Sequence, residues 1–352
     1  MIKELIRKAN QFRKRAYFNS SLYKTNRKYA FVGFGMHSLT NLYPIISHFG
    51  IPLKYICTRE SSVSINISVR FPGTVFTNEL ELILNDPEIE GVFVSADPTA
   101  HAQILTSLLL AGKKVFIEKP PCTDIGELEK IILLSKNAVV KVGLQRRYWP
   151  GNKYILKNKE RMRSYIYRFY FGPYLQGDVF NEMFIHAVDY CIFLFGEFAI
   201  LSSSQQKYDH GITVQLHIKH SSGVSGLLEL STHGSWSDPV DSMSIQCVDE
   251  ILEVKYPVLV EGRLKPKRIF NIPSERFLNQ PVSSKKYFSI NNLVLPVFEL
   301  NTLILQGFYD ELRVFIEMVE NGNREGLRND LIGLRPVYRI LDELKKYDHP
   351  IA

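Results

Sequence analysis

The chain has 352 residues, 45% of them hydrophobic and 22% charged, proportions that are typical of a globular protein and unlike those of a disordered one. The length predicts two domains, and no run of about 18 apolar residues is present that would predict a transmembrane helix. The first residues lack the apolar core of a signal peptide and the four cysteines form no paired motif, so we expect a reducing, cytoplasmic setting.

The net charge of +7 is concentrated in residues 1–28. This extension carries nine lysines and arginines against one acid, Glu4, so it contributes +8 and leaves −1 for the rest of the chain. A nearly neutral body does not predict a nucleic-acid-binding protein.

Within residues 1–16, apolar side chains recur at helical spacing, which predicts an amphipathic helix with basic residues on its other faces. The apolar positions are Ile2, Leu5, Ile6, Ala9 and Phe12. Three interpretations are open: the helix packs on its own or a neighbouring subunit, it makes a peripheral contact with a membrane surface or an acidic partner, or the segment is a transit peptide.

From residue 29, short apolar runs alternate with amphipathic segments. The predicted strands are 29–32, 53–57, 92–95, 114–117 and 139–142, and the predicted helices are 39–49, 79–84, 101–110 and 126–134. Asn78 and Glu81 have the spacing of a capping box for the second helix. Apolar strands that alternate with helices predict a parallel, doubly wound sheet, so we assign residues 29–149 to an α/β Rossmann domain.

Residues 150–352 have a different pattern, which predicts an α+β domain with a large, mostly antiparallel sheet. The predicted helices are 177–195, 303–320 and 329–346, the clearest strands are 213–219, 226–231 and 242–248, and residues 271–297 are predicted to be an irregular loop. We expect this domain to bind substrate and to mediate oligomerisation.

The segment Gly33–Ser38 follows the first predicted strand and opens a helix, the context that a dinucleotide-binding turn requires. Gly33 permits the tight turn, and Gly35 lets the backbone approach a pyrophosphate whose charge lies at the helix N-terminus. Ser38 replaces the third glycine and is small enough for close helix–strand packing.

Thr58 and Arg59 stand at the end of the second strand, where an NAD-binding site usually has an acidic residue. An arginine fork and a hydroxyl suit a 2′-phosphate better. The sequence therefore favours NADP over NAD, with a surface arginine in a loop as the alternative.

Four motifs then follow in order: Ala111–Lys113, Glu118–Pro120, Val142–Tyr148 and Glu182–Asp189. Together they resemble the Ala-Gly-Lys, Glu-Lys-Pro, Val-Gly-Phe-x-x-Arg-Tyr/Phe and Asp-x-x-x-His-x-x-Asp segments of the Gfo/Idh/MocA family (glucose-fructose oxidoreductase, inositol dehydrogenase and MocA-like proteins). The resemblance covers about residues 28–346. It implies a hydride transfer between a nicotinamide and a carbinol carbon of a sugar, cyclitol or nucleotide sugar, a Lys119–Pro120 peptide that is often cis, and a homodimer or homotetramer formed through the outer face of the second sheet.

Lys119 follows a buried strand at its carboxyl end, where open α/β sheets bind ligands. It can donate to a substrate hydroxyl and stabilise developing negative charge, and partial burial would ease its deprotonation. Glu182, His186 and Asp189 fall at i, i+4 and i+7 of a predicted helix, so we expect them to share one helical face, which Asp178 extends by one turn. We expect His186 to be the general acid or base and Glu182 to orient it.

Three departures from the family pattern bear on the site. Glu182 stands where the family usually has Asp, Pro98 where a cofactor-contacting Asn is common, and Phe184 where a Gly is usual. Asp97 is the candidate substitute for the missing Asn.

The predicted site combines these residues. The cofactor contacts are Gly33, Gly35, Met36, His37, Thr58, Arg59, Ser95, Asp97, His101, Glu118, Lys119 and Gln145; the substrate contacts are Lys119, Arg147, Tyr148, Glu182 and His186; the catalytic residues are Lys119, His186 and Glu182. No metal site is expected, because His217 and His220 lie three apart on a predicted strand and face opposite sides. Two alternative functions stay open, a non-catalytic dinucleotide-binding sensor and a reductase of imines or tetrapyrroles on the same scaffold.

Overall fold

The computed structural model describes residues 2–20, 25, 27–59, 71–136, 138–277, 283–290, 301–321 and 330–346. These residues form two compact units. The first unit comprises residues 1–143 and 308–332, and the second comprises residues 144–307 and 333–352.

The first unit contains a six-stranded parallel sheet with the order β3-β2-β1-β4-β5-β6. Its strands are β1 Lys28–Val32, β2 Leu53–Cys57, β3 Val75–Thr77, β4 Ile89–Val94, β5 Lys114–Glu118 and β6 Val140–Gly143. The strand order reverses between β1 and β4, which is the topological switch point of a doubly wound fold. The predicted Rossmann architecture is therefore confirmed, with β3 as a strand that the sequence did not predict.

Helices of the first unit precede and connect these strands. They are α1 Ile2–Ser20, α2 Tyr43–His48, α3 Glu81–Leu84, α4 Pro98–Leu110 and α5 Ile125–Leu134. The predicted capping box is wrong: α3 begins at Glu81 after Leu80, which makes no side-chain cap, and Thr77 instead accepts the amide hydrogen bond of Glu79. Helix α4 begins earlier than predicted, because Asp97 caps it and Pro98 occupies its first turn.

A helix from the C-terminal part of the chain completes the core of the first unit. The predicted 303–320 helix is broken into α8 (Thr302–Leu305) and α9 (Phe308–Glu320) by Gly307, which has a φ of +96°. Phe315 of α9 lies edge-on to Phe93 of β4, with ring centroids 5.2 Å apart. The sequence placed this helix in the second domain, but its packing partner is the first sheet.

The second unit contains an eight-stranded sheet with the order β16-β13-β12-β11-β7-β10-β9-β8, antiparallel except for the β7–β10 pair. Its strands are β7 Met162–Tyr170, β8 Phe198–Tyr208, β9 Gly211–His220, β10 Ser225–Ser231, β11 Val240–Cys247, β12 Glu250–Lys255, β13 Leu259–Leu264 and β16 Ser284–Ser289. A two-residue turn joins β14 (Arg268–Ile269) to β15 (Ile272–Pro273). The predicted loop 271–297 is wrong where β15 and β16 lie, and residues 278–282 and 291–297 fall outside the described part.

The second unit also contains the helices α6 Asn152–Leu156, α7 Ile185–Phe195 and α11 Arg335–Lys346, and the short α10 Asp330–Gly333 precedes α11. Helix α7 packs on the inner face of the sheet, where Phe195 stacks on Tyr165 at 4.2 Å between ring centroids. In the described ranges, no helix is long and apolar enough to cross a membrane.

Candidate functional site

The turn after β1 has the geometry that the sequence predicted. Gly33 has a φ of +111°, and a Cβ there would lie 2.0 Å from the carbonyl oxygen of Ser95, so only glycine fits. A Cβ on Gly35 would meet no protein atom within 4 Å. The backbone at Gly35 therefore faces open space into which a ligand can approach.

The segment after this turn is wound more loosely than an α-helix. Ser38–Leu42 forms a π-helical turn before α2, and the Ser38 hydroxyl donates to the Gly35 carbonyl at 2.7 Å. Tyr43 donates to the Gly33 carbonyl at 3.1 Å. These two hydrogen bonds hold the backbone of the glycine turn against the helical segment that follows it. Met36, a predicted cofactor contact, is exposed.

A charged cluster lies at the carboxyl end of β5. The Glu118 carboxylate is 7% exposed, its Oε1 lies 3.1 Å from Nε2 of His37, and its Oε2 accepts the Lys119 amide at 3.3 Å. Burial alone would raise the pKa of Glu118, but the charges of His37 and Lys119 outweigh it and hold that pKa below its usual value. Glu118 thus stays ionised beside the turn after β1.

The backbone after Glu118 is tied to α4. The Lys119–Pro120 peptide is cis, as the resemblance implied. Nδ1 of the buried His101 lies 2.7 Å from the Pro120 carbonyl, which can only accept, so Nδ1 carries the proton. Burial lowers the pKa of His101 and favours the neutral ring. His101 therefore positions the loop that carries Lys119, a role that its helical context did not reveal.

The remaining predicted cofactor residues of the first unit lie after β2 and β4. Arg59 is 86% exposed, and its guanidinium is 3.8 Å from the Asp97 carboxylate. Asp97 is engaged as the cap of α4, accepting from the Thr99 amide at 3.0 Å, and the Thr99 hydrogen bonds lower its pKa. Ser95 donates its amide to Val32, and Thr58 donates its amide to Thr77. Arg59 is thus an exposed cation on a long side chain at the end of β2, and the 3.8 Å distance makes its ion pair with Asp97 a weak one.

In the second unit, the predicted catalytic helix also begins with a π-helical turn. Phe180–Phe184 is π-helical and Ile185–Phe195 is α-helical, so Glu182 and His186 are not joined by the regular i, i+4 spacing. The Glu182 carboxylate accepts from the Tyr174 hydroxyl and from the Asp178 amide, the latter at 2.9 Å. These contacts aim Glu182 at the preceding segment; its predicted action on His186 stays a prediction.

Arg147 and Asp189 form a bidentate ion pair that the sequence did not predict. Nε of Arg147 donates to Oδ2 of Asp189 at 3.0 Å, and the second guanidinium nitrogen bonds the other oxygen. Asp189 is only 2% exposed. Both residues lie in motifs that resemble the family's, so the sequence offered one signal for this ion pair: an arginine in one motif and an aspartate in another could have been paired with each other. Arg147 joins the 145–148 segment to α7, one turn after His186.

The 3-10 turn Gln145–Tyr148 is held within the second unit. Arg146 donates to Asp241 at 2.8 Å, and both side chains are 8% exposed. Asn152 donates to the Arg146 and Arg147 carbonyls. The predicted ligand contacts Gln145 and Tyr148 are partly exposed on this rigid turn. Nothing in the sequence indicates that Arg146 is buried, because its ion-pair partner, Asp241, lies 95 positions away in the chain.

Metal binding has no donor cluster in the described ranges: no group of three His, Cys, Asp or Glu side chains could hold an ion. His217 is exposed and His220 buried, so the two face opposite sides of β9 as predicted. By contrast, the turn after β1 fits a dinucleotide. Gly33 allows the tight turn, in which no side chain would fit, and Gly35 leaves room for a ligand in front of the backbone.

The comparisons agree with this geometry. Residues 27–145 match the family described as oxidoreductase family, NAD-binding Rossmann fold. An uncharacterised oxidoreductase of Schizosaccharomyces pombe is 31% identical over 127 residues, and an inositol 2-dehydrogenase of Salmonella paratyphi B is 34% identical over 77 residues. The matched regions span 34% of this chain and 34% of the first relative, and 21% and 23% for the second. The alignments thus cover about a third or less of these relatives.

Solved structures extend the likeness of fold to most of the chain. A dehydrogenase from Chromobacterium violaceum superposes with a TM-score of 0.76 at 19% identity, over 92% of this chain and 95% of that one. A UDP-N-acetylglucosamine 3-dehydrogenase from Acidithiobacillus ferrooxidans gives a TM-score of 0.70 at 14% identity, over 91% of this chain and 96% of that one. At these identities the likeness shows the fold.

Proposed function

We propose that the protein is an NAD(P)-dependent dehydrogenase or reductase of the Gfo/Idh/MocA type that acts on CH–OH groups, because residues 27–145 match an oxidoreductase family with an NAD-binding Rossmann fold. The substrate class is a sugar, cyclitol or nucleotide sugar. Support for this class comes from the names of two similar proteins, an inositol 2-dehydrogenase and a UDP-N-acetylglucosamine 3-dehydrogenase.

One observation carries the proposal. The glycine turn after β1 and Lys119 after β5 lie on the same carboxyl edge of one parallel sheet, with β4 between their strands. Parallel α/β sheets bind ligands at this edge and at the point where strand order reverses. A dinucleotide on the Gly35 backbone would therefore lie beside the strand end that bears Lys119.

The chemistry follows from the residue types. When bound, the nicotinamide cofactor would accept or supply the hydride. Lys119 would hydrogen-bond the reacting oxygen and stabilise its negative charge, and His186 would take the hydroxyl proton in the oxidative direction and return it in the reductive one. Glu182 would act on His186 as a positioning residue. Arg147, through Asp189, holds α7 and so the backbone of His186.

We propose NADP as the preferred cofactor. Arg59 is a highly exposed cation at the end of β2, and Asp97, which lies 3.8 Å from its guanidinium, also caps α4. The cation is therefore available to a 2′-phosphate, with Thr58 as a hydroxyl donor beside it.

A homodimer or homotetramer formed through the outer face of the second sheet remains our proposal for assembly. Ile166 and Leu227 are directly paired across β7 and β10, and they are 47% and 50% exposed. Together with Arg168, Gln215 and Glu229 they line a groove of about 430 Å³ on that face. Light scattering of purified protein should give a multiple of 40.6 kDa; a monomer mass would contradict it. We expect a cytoplasmic location.

The test of function uses purified protein with NADP or NAD and a panel of sugars, cyclitols and nucleotide sugars, followed at the nicotinamide absorbance band. Lys119→Ala and His186→Asn should each lower turnover by about a hundredfold or more. The matched controls Lys130→Ala and His210→Asn, both exposed residues outside the proposed site, should retain turnover.

The alternatives predict other outcomes. A non-catalytic sensor would bind dinucleotide but turn over no substrate in either direction, and a reductase of imines or tetrapyrroles would oxidise reduced cofactor only with those substrates. Turnover that survives both Lys119→Ala and His186→Asn would contradict the assigned mechanism.

A further inference from the structure

The basic extension forms a helix that leaves its apolar stripe uncovered. In α1, Ile2, Leu5, Ile6 and Phe12 are 75%, 64%, 55% and 74% exposed. A helix in a globular protein usually buries such a stripe, because each large apolar side chain gains free energy when it leaves water. Leu5 and Ile6 follow Ile2 by three and four residues and Phe12 follows Leu5 by seven, so the four side chains share one face.

Cations border this stripe on both sides. At 100° per residue, Lys3 falls beyond Ile6 on one side and Lys8 beyond Phe12 on the other, and Arg13 falls on the stripe itself one residue after Phe12. Residues 2–20 contain six lysines and arginines and a single acid, Glu4, a net charge of +5. An apolar stripe with basic borders and a low overall hydrophobicity is typical of helices that lie in the interface of a membrane.

A turn in the second unit has the same chemistry. Phe270 and Asn271, at the tip between β14 and β15, both have left-handed φ angles of 50° and 66°, and Phe270 is 95% exposed. Ile269 and Phe277 are 46% and 62% exposed. The cations around them in the sequence are Arg263, Lys265, Lys267, Arg268 and Arg276, against one acid, Glu275.

The tip places an aromatic residue in a hairpin turn at a position that is unusual for one. A left-handed backbone is unfavourable for an aromatic residue, whose Cβ crowds the carbonyl oxygen. Phe270 nevertheless holds that conformation with its ring almost fully in water. Hairpin turns of two residues usually have Gly, Asn or Asp at positions with positive φ, so an exposed phenylalanine at this tip is the unusual feature, and it is available to contact another surface.

From these two elements we propose that the protein binds peripherally to anionic phospholipid surfaces, through the apolar stripe of α1 and through the tip at Phe270. The aromatic and aliphatic side chains enter the boundary of the acyl chains, and the flanking lysines and arginines contact lipid phosphates. A second copy of α1 is a poorer occupant of the stripe, because self-pairing would bring Lys8 close to the basic borders of its partner. Nucleic acid would use the cations but not the stripe.

The proposal is tested by sedimentation with vesicles of phosphatidylcholine alone and of phosphatidylcholine mixed with phosphatidylglycerol. The full chain should bind the mixed vesicles at least about tenfold more tightly, since each basic residue near an anionic surface contributes about fivefold. Raising the salt from about 0.05 M to about 0.5 M should weaken this binding, because charges are then screened over a few ångströms.

Variants separate the two elements and the two kinds of contact. Leu5→Ser with Phe12→Ser, Lys3→Gln with Lys8→Gln, and Phe270→Ser should each weaken binding to the mixed vesicles about tenfold or more. The control Lys130→Gln with Leu133→Ser removes an exposed lysine and an exposed leucine from α5 and should bind like the unaltered chain. All the altered side chains are exposed, so the unfolding midpoint should stay unchanged in each variant.

Other results would overturn the proposal. Equal binding to both kinds of vesicle, or none to either, removes the membrane from the account. Unchanged binding by the Leu5/Phe12 variant refutes the role of α1, and unchanged binding by Phe270→Ser refutes that of the tip. A fall in the mass of the Leu5/Phe12 variant in light scattering would show that a second copy covers the stripe. None of these outcomes depends on oxidoreductase activity, so the proposed function is tested separately.

Discussion

A glycine can be required because its φ is left-handed, because a Cβ would clash, or because a ligand needs the space in front of the backbone. Alanine variants at Gly33, Gly35 and Gly112 distinguish these reasons. Gly33 has a left-handed φ and no room for a Cβ, Gly112 has a left-handed φ of +71° with no atom within 4 Å of a Cβ, and Gly35 has neither constraint. Replacing each with alanine adds the same methyl group. The three variants therefore isolate steric overlap, backbone conformation and ligand space.

The expected loss of stability follows from these geometries. Gly112→Ala should lower the free energy of unfolding by about 1–2 kcal/mol, the cost of a left-handed L-residue. Gly33→Ala adds overlap with the Ser95 carbonyl at 2.0 Å, a backbone atom that cannot rotate away. Overpacking costs about 1–3 kcal/mol more, so the total is about 2–5 kcal/mol. Gly35→Ala should change stability by less than about 1 kcal/mol.

Dinucleotide affinity should rank the three variants differently from stability. Gly35→Ala places a methyl group in the open space in front of the backbone, so dinucleotide affinity should fall about tenfold or more while the fold persists. Gly112→Ala, after α4, should keep its affinity. Urea titration gives the unfolding free energies, and calorimetry with NADP gives the affinities. The reasoning is refuted if Gly33→Ala is no less stable than Gly112→Ala, or if Gly35→Ala binds NADP like the unaltered chain.

Three further predictions follow from single contacts. Arg59→Ala should weaken NADP binding by about 1.5–3 kcal/mol and NAD binding much less, measured by calorimetry with both cofactors; equal losses would contradict the 2′-phosphate contact. Burial lowers the pKa of His220 to about 4, so its unfolded form binds the extra proton between about pH 6.5 and 4, and stability should fall by about 2–3 kcal/mol as pH drops through that range; in urea titrations His220→Gln should lose this part of the pH dependence. Arg147→Met strands the buried Asp189 and should cost about 3–5 kcal/mol, whereas Arg313→Met, in an exposed pair network, should cost under about 1 kcal/mol; similar urea midpoints would refute the importance of burial.

Much of the first unit was predictable because its signals are local. Apolar strands alternate with amphipathic helices over residues 29–143, and the turn at Gly33 needs glycine for reasons that its own φ angle shows. The third strand was missed because Val75–Thr77 is short, partly exposed and at the edge of the sheet, so its sequence carries little apolar periodicity.

The unpredicted features depend on contacts between distant residues. Gly307 breaks the 303–320 helix through its left-handed φ of +96°, and it must be glycine because a Cβ there would lie 2.1 Å from the carbonyl oxygen of Gln145, a contact that the local sequence does not encode. The amphipathic pattern of Phe308–Glu320 predicts that one face is buried, but only the structure shows that this face meets Phe93 of the first sheet. Hydrophobic periodicity shows that one face of a helix is buried, but it does not show which element packs against that face.

Glu182 stands where the family pattern usually has aspartate, and the contacts of its carboxylate give a local reason for the longer side chain. One methylene longer than aspartate, Glu182 reaches back to the Asp178 amide and the Tyr174 hydroxyl. Gly177 admits this approach, because a Cβ there would lie 2.0 Å from Oε1 of Glu182. The carboxylate is therefore fixed by the segment before the π-helical turn, and the widened turn changes the spacing to His186 at the same place. In this chain the glutamate and the π-helical turn therefore belong to the same helix start, and the contacts of Glu182 with Tyr174 and Asp178 are a local reason for its longer side chain.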